Sequence, residues 1–180
     1  MSKNILVIST SMRSSSNSDA LAEAFLAGAR EAGNHVEKAE LRGKKLGFCT
    51  GCLACQTSHS CPIPDDAAAI IQAMKRSDAV AFATPIYYYE MCGQMKTLLD
   101  RANPLFSSDY AFRRVYLLAA AAEDDPSVPR RAAEGLKGWI ECFEKASLGG
   151  VVFAGGVNAP GEIQGHPALK QAWEMGRSIH

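Results

Sequence analysis

Apolar positions along the chain fall into two alternating patterns. Residues 5–9, 78–84, 115–121 and 151–154 are short, largely apolar runs bounded by turn residues, as expected of strands covered on both faces. Residues 36–41 are more polar and suit an edge strand. Between these runs, apolar residues recur at helical spacing: Leu21/Phe25/Ala29/Ala32, Ala67/Ile70/Ile71/Met74, Met95/Leu98/Leu99/Ala102, Leu136/Trp139/Ile140/Phe143 and Leu169/Ala172/Trp173/Gly176. Each group gives a helix one buried stripe. Ser18-Asp19, Pro64-Asp65-Asp66, Ser127 and Pro167 mark helix starts, by capping side chains or by a proline in the first turn.

Strict alternation of strands and helices implies a parallel sheet with helices on both faces, joined by right-handed crossovers. Five strands favour an α/β flavodoxin-like three-layer sandwich with a five-stranded parallel sheet, order 2-1-3-4-5, over a six-stranded dinucleotide fold. Ligands in such a sheet bind beyond the carboxyl ends of the strands where the winding reverses, between strands 1 and 3. The loops after Ser9 and Thr84 are therefore the ones that matter. No repeat, linker or low-complexity tail interrupts the pattern, and residues 1–180 read as one domain. With 47% hydrophobic and 21% charged residues the composition is that of an ordinary globular protein. Nineteen basic residues balance nineteen acidic ones, so no general attraction toward nucleic acid or an anionic membrane is expected. The run Ile5-Leu-Val-Ile8 is too short for a signal peptide, and nothing approaches the length of a membrane span. A cytoplasmic location is expected, where thiols stay reduced.

After the first strand the chain reads Ser9-Thr-Ser-Met-Arg13-Ser-Ser-Ser-Asn17-Ser18 and enters a helix. A helix N-terminus offers unpaired N–H groups and the positive end of a dipole, a natural seat for phosphate. Ser11, Asn17 and Ser18 supply neutral donors and Arg13 a positive charge. The G-x-x-x-x-G-K-[ST] loop and G-x-G-x-x-G are both absent, which points to a monophosphate and away from a nucleoside triphosphate. A Ser-rich loop with an ordinary N-cap fits the same residues. The third strand runs into Thr84-Pro85-Ile86-Tyr87-Tyr88-Tyr89-Glu90-Met91-Cys92, setting aromatic and backbone groups where a planar ring would lie. Packing or an interface would also use such tyrosines. A third loop, Ala119 to Ala122 followed by Glu123-Asp124-Asp125, offers small residues that let a flat ligand approach the backbone.

Four of the six cysteines fall in Cys49-Thr-Gly-Cys52-Leu-Ala-Cys55-Gln-Thr-Ser-His-Ser-Cys61. Two residues between each of the first three cysteines, with five before the fourth, suit a compact iron–sulfur cluster better than tetrahedral zinc, which draws C-x-x-C pairs from separated segments. A thiol-rich loop without metal remains the other reading. His59 lies inside this segment and is a further candidate ligand, or a solvated loop residue. Cys92 is expected to be inert and partly buried, Cys142 to serve packing, and Asp100 and Arg101 to tie their helix to its neighbours.

The motifs S-x-R-x-x-x-N-S after the first strand, and T-P-I-Y-Y then G-Q-x-K-x-x-x-D-R after the third, resemble the NAD(P)H-dependent FMN reductases of the flavodoxin-like superfamily. The cysteine spacing is similar to that of the iron-sulfur flavoproteins within that group. The resemblance covers nearly the whole chain and extends to Gly149–Gly156 and His166-Pro167-Ala168-Leu169. It implies FMN, with Ser11, Arg13, Asn17 and Ser18 at its phosphate and Pro85, Ile86, Tyr87 and Tyr88 beside its ring. It further implies NAD(P)H as hydride donor, a quinone, flavin or other acceptor, and a homodimer or homotetramer. Cys49, Cys52, Cys55 and Cys61 would hold a [4Fe-4S] cluster; the alternative function is then an electron carrier between FMN and protein partners. Thr10 and Ser16 stand where many relatives have glycine, and Met12 where proline is common.

Overall fold

The computed structural model describes residues 2–180. Its strands are β1 (Asn4–Ser9), β2 (His35–Glu40), β3 (Ala79–Tyr87), β4 (Glu90–Met91), β5 (Arg114–Ala120) and β6 (Ser147–Ala154). Its helices are α1 (Asn17–Glu31), α2 (Ala54–Ser58), α3 (Ala67–Arg76), α4 (Gly93–Arg101), α5 (Arg130–Ile140) and α6 (Pro167–Arg177), with one 3-10 turn at Asn103–Leu105. Five strands pair in parallel in the order β2-β1-β3-β5-β6, and β4 pairs only with the end of β3, antiparallel. Without that two-residue strand the order is the expected 2-1-3-4-5.

Alternation along each strand divides the core between the two faces. Leu6, Ile8, Val80, Phe82, Val115 and Leu117 face α3, α4 and α5, while Ile5, Val7, Ala79, Ala81, Tyr116 and Leu118 face α1 and α6. The aromatic cluster Phe82, Phe112, Trp139 and Phe143 fills the first side, with Phe112 stacked on Trp139 at 6.0 Å. On the second side the two helices cross in near contact. A Cβ on Gly28 would lie 1.9 Å from the Trp173 carbonyl oxygen, and one on Gly176 2.0 Å from that of Phe25.

Several boundaries differ from the expectation. Strand β6 starts at Ser147, four residues early, because Gly149 and Gly150 make room for the Tyr116 ring and the Met175 methyl rather than ending the strand. Helix α1 is capped by Ser16, whose Oγ accepts from the Asp19 N–H at 3.1 Å, and not by Ser18. Pro129 precedes α5 and Ser127 sits in the turn before it, donating its N–H to Asp125. The hairpin at β4, the short α2 inside the cysteine segment and the 3-10 turn have too few residues to show a periodicity.

Candidate functional site

The loops after β1, β3, β5 and β6 meet at the carboxyl end of the sheet and enclose one cleft. Its walls hold Ser11, Arg13, Ser16, Asn17, Ser18, Pro85, Ile86, Tyr87, Ala120, Ala121 and Ala122, joined by Val157, Asn158 and Pro160. Seven of the eight residues assigned to FMN by the resemblance thus converge; Tyr88 does not, being 97% exposed at the hairpin tip.

Local chemistry shapes the phosphate end. Ser15 adopts φ 52°, a left-handed conformation that turns successive N–H groups toward one side, as in anion-binding nests. The N–H groups of Asn17 and Ser18 find no protein acceptor among the described residues. Helix α1 therefore presents donors and its positive end to the cleft. Arg13 is exposed and its guanidinium Nη1 donates to the Asn158 carbonyl at 2.8 Å, which holds the charge over the opening. Ser11 is buried and accepts from the Arg13 N–H at 3.2 Å.

Asn17 is committed elsewhere. Its Nδ2 donates to the Ala159 carbonyl at 3.0 Å and its Oδ1 accepts from the Ile163 N–H at 3.3 Å. The side chain staples α1 to the loop after β6, leaving only its backbone N–H without a protein partner. Glu162 closes the same loop, accepting from the N–H groups of Asn158 and Ala159 at 2.6 and 2.8 Å. These bonds hold the Glu162 carboxyl below its usual range.

The positions that depart from the family pattern are explained by packing. Thr10 is fully buried, and its Oγ1 donates to the Ala83 carbonyl at 2.9 Å and lies 3.2 Å from the Cys92 sulfur. Its side chain points under the loop, so no glycine is needed there. Ser16 is the helix cap described above. Met12 projects to the far side, into a groove lined with Leu46 and Phe48.

At the ring end, Tyr87 lines the cleft and is half exposed. Tyr88 and Tyr89 form the hairpin turn at φ 50° and 68°, values that suit Asn or Gly and strain a bulky side chain. Strain of this kind marks positions fixed by something other than local preference. Residues 157–160 were missed by sequence reading. The usable signal was topological: they follow the last strand at the same end of the sheet as the loops already singled out.

The cysteine segment lies apart. Cys49, Cys52, Cys55 and Cys61 all border one small cavity, together with Arg101 and Asn103. No residue lines both this cavity and the cleft. Cys55 is buried and its sulfur accepts from Asn103 Nδ2 at 3.2 Å, Cys61 is half-buried, and Cys49 and Cys52 stand on the rim. Among the described residues no three His, Cys, Asp or Glu side chains are gathered closely enough to hold a metal ion. A single zinc would need its four ligands about 2.0–2.3 Å from one point, whereas a cubane spreads its thiolates further apart. The donor set, four thiols about one cavity with a buried arginine beside them, fits an iron–sulfur cluster better than zinc. His59 turns away and meets Ser107 Oγ at 3.2 Å. Cys142 is exposed, contrary to a packing role, and Cys92 is buried.

A doubly wound parallel sheet with a cleft at the carboxyl ends of its strands, bordered by the start of its first helix, defines a flavodoxin-like protein. More narrowly, the chain belongs to the NADPH-dependent FMN reductase family, whose model matches residues 3–159, and it is an oxidoreductase working with FMN and NAD(P)H. An iron-sulfur flavoprotein of Archaeoglobus fulgidus is 29% identical over 169 residues, covering 94% of this chain and 75% of that protein. A second, iron-sulfur flavoprotein MJ1083 of Methanocaldococcus jannaschii, is 35% identical over 101 residues, covering 56% of this chain and 52% of its own. Among solved structures, an NAD(P)H:quinone oxidoreductase from Methanothermobacter marburgensis superposes with a TM-score of 0.78 at 20% identity, over 100% of this chain and 98% of the other. An azoreductase from Bacillus anthracis gives 0.73 at 17% identity, over 98% and 100%. These two likenesses carry the fold.

Proposed function

We propose that the cleft binds FMN with its phosphate at the start of α1 and its ring beside Pro85, Ile86 and Tyr87, and that the protein passes a hydride from NAD(P)H to a quinone, a flavin or another oxidised organic acceptor. The observation that carries this reading is the convergence of three independently marked loops on one cleft, with unpaired N–H groups at one end and small or aromatic residues at the other. Bound FMN supplies the redox chemistry, accepting and returning a hydride. The chain's part is to bind, orient and shield. Helix α1 and Arg13 neutralise the phosphate; Ala120, Ala121 and Ala122 leave the backbone open to close approach; Tyr87 borders the mouth. No side chain is required as acid or base, so one cleft can serve donor and acceptor in turn. The test is a flavin count on the purified protein followed by steady-state NAD(P)H oxidation with a quinone or free flavin. Flavin-free protein that does not take up FMN would overturn the reading.

A second reading is favoured by the four thiols about one cavity: an electron carrier in which a [4Fe-4S] cluster held by Cys49, Cys52, Cys55 and Cys61 relays electrons between FMN and redox protein partners. Anaerobic purification with iron and sulfide counts tests it, and activity confined to a ferredoxin-like donor would favour it over the first. The exposed side chains of Met12, Phe48, Leu53, Tyr87, Tyr88 and Tyr89 support a homodimer or homotetramer, which light scattering would check. Neither reading involves nucleic acid or a membrane, and among the described residues no helix is long and apolar enough to cross one.

A further inference from the structure

Arg101 ends α4 and is 1% exposed, in a place where an uncompensated charge would be costly. Its Nη1 donates to Asp65 Oδ2 at 2.5 Å and to the Gly47 carbonyl at 2.8 Å, and its Nη2 to Asp65 Oδ1 at 2.9 Å and to the Ile63 carbonyl at 3.5 Å. Asp65 in turn accepts from the Gly47 N–H at 2.7 Å and the Ala67 N–H at 3.1 Å. Gly47 lies two residues before Cys49 and Ile63 two after Cys61. One buried ion pair therefore clamps both ends of the cysteine segment.

A guanidinium carries five N–H donors, four of them on the two Nη atoms. The fifth, on Nε of Arg101, is buried and makes no hydrogen bond of standard geometry, although the Cys61 thiol lies within reach of the guanidinium. Buried donors are almost always paired, and one left over calls for an explanation. The residue borders the cavity shared by all four cysteines. Its pKa is pushed up, first by the bonds to Asp65 and against the opposing effect of burial, with Cys61 adding to the rise.

We propose that Arg101 is the positioning residue of the cysteine segment and that its unused Nε–H donates to a sulfur of an iron–sulfur centre held by Cys49, Cys52, Cys55 and Cys61. This rests on the iron–sulfur reading given above. Thiolate and sulfide are electron-rich acceptors, and hydrogen bonds to them are among the features that set a cluster's potential. A donor here favours the more negatively charged, reduced form and so raises the potential. Lysine in its place would keep a positive charge for Asp65 but would lose both the fork that grips Gly47 and Ile63 and the Nε–H itself.

The experiment compares wild-type protein with Arg101→Lys, both purified anaerobically, by iron, sulfide and flavin content and by the midpoint potential of the iron–sulfur centre. The flavin cleft does not include Arg101, so retained flavin reports a folded variant. The expected result is wild type with about four irons per chain, the stoichiometry of a cubane, and a variant that keeps its flavin, loses more than half its iron and holds the remainder at a more negative potential. Equal iron at an equal potential would overturn the role of Arg101 while leaving the cluster standing. Iron-free wild type would overturn the cluster reading and this role with it. Should Arg101→Lys fail to fold, wild type with 15N-labelled arginine Nε decides by pulsed EPR of the reduced centre: a nitrogen coupling is expected, and its absence refutes the bond. A purely structural clamp would produce neither the potential shift nor the coupling.

Discussion

Asn17→Ala separates two readings of the same residue. Chain order alone makes Asn17 a phosphate ligand; the structure makes its side chain a staple between α1 and the loop after β6. Truncation leaves the Ile163 N–H without an acceptor, and Ile163 is 1% exposed, so water cannot replace the bond. The Ala159 carbonyl, in an exposed residue, is repaired by solvent. One buried donor left unpaired costs about 1–3 kcal/mol, and because the lost bond spans 3.3 Å the lower half of that range applies. Urea unfolding of the flavin-free protein should therefore give a stability reduced by about 1–2 kcal/mol with an unchanged dependence on denaturant. FMN affinity, measured by fluorescence titration, should fall less than about tenfold, since the backbone N–H of residue 17 remains and only the neighbouring loop loosens. Asn17→Asp retains an acceptor for Ile163 but sets a carboxylate beside the Ala159 carbonyl and near the ligand's phosphate. It should recover part of the stability and lose more of the affinity. Unchanged flavin-free stability combined with an FMN affinity at least a hundredfold weaker in Asn17→Ala would refute the staple and restore a direct contact.

Arg13→Ala should weaken FMN binding by about 1.5 kcal/mol, roughly tenfold, the low end for a charge-assisted hydrogen bond because the guanidinium is exposed; an unaltered titration would remove Arg13 from the site. Tyr87→Ala should lower flavin retention or alter the flavin spectrum, whereas Tyr88→Ala, truncating a side chain outside the cleft, should do neither. A changed spectrum with Tyr88→Ala alone would reverse that assignment. Asp65 has its pKa lowered, first by the Arg101 fork and against the effect of burial, so its contribution to stability is complete above its unfolded value of about 4 and is lost as pH falls through the lower folded value. The thermal midpoint of flavin-free protein should accordingly hold level from pH 7 to about 4 and drop below it, with a shallower acid limb in Asp65→Asn; parallel limbs would show that another group carries the acid sensitivity.

The sheet order and both faces of the core were legible because strands covered on both faces read as short continuous apolar runs and amphipathic helices as a 3.6-residue period, over enough residues to count. Ile5 to Ile8 and the stripe Ala67/Ile70/Ile71/Met74 do this plainly. The glycines of β6 hid half a strand, since what they accommodate, the Tyr116 ring and the Met175 methyl, lies far away in sequence. In the cleft, the residues of the first and third loops were legible from hydroxyls, arginine and aromatics at a known topological position. Asn158 and Pro160 were not, because their contribution is made by backbone and shape. The same holds for Asn17: type and position suggested a ligand, and only the partner 146 residues away showed a staple. The cysteine segment was conspicuous in sequence; Arg101 was expected to tie its helix to a neighbour and Asp65 to mark a helix start, but that the two pair to anchor this segment needed the structure.

Helix α4 connects the two centres and explains why one motif spans both. At its start, the Cys92 N–H donates to Thr84 Oγ1 at 3.2 Å and the Cys92 sulfur meets Thr10 Oγ1 at 3.2 Å, tying the helix to the floor of the phosphate loop and to the strand that carries the tyrosine hairpin. At its end, Arg101 grips both flanks of the cysteine segment. The nine residues between, Gly93 to Arg101, span about 13 Å at 1.5 Å per residue. The cleft and the cysteine cavity have no lining residue in common, and α4 links the elements that border them. The spacing within G-Q-x-K-x-x-x-D-R is therefore a geometric requirement. One residue more or less in α4 would turn Arg101 by about 100°, out of reach of Asp65, and release the cysteine segment while the contacts of Cys92, Thr84 and Thr10 stayed in place.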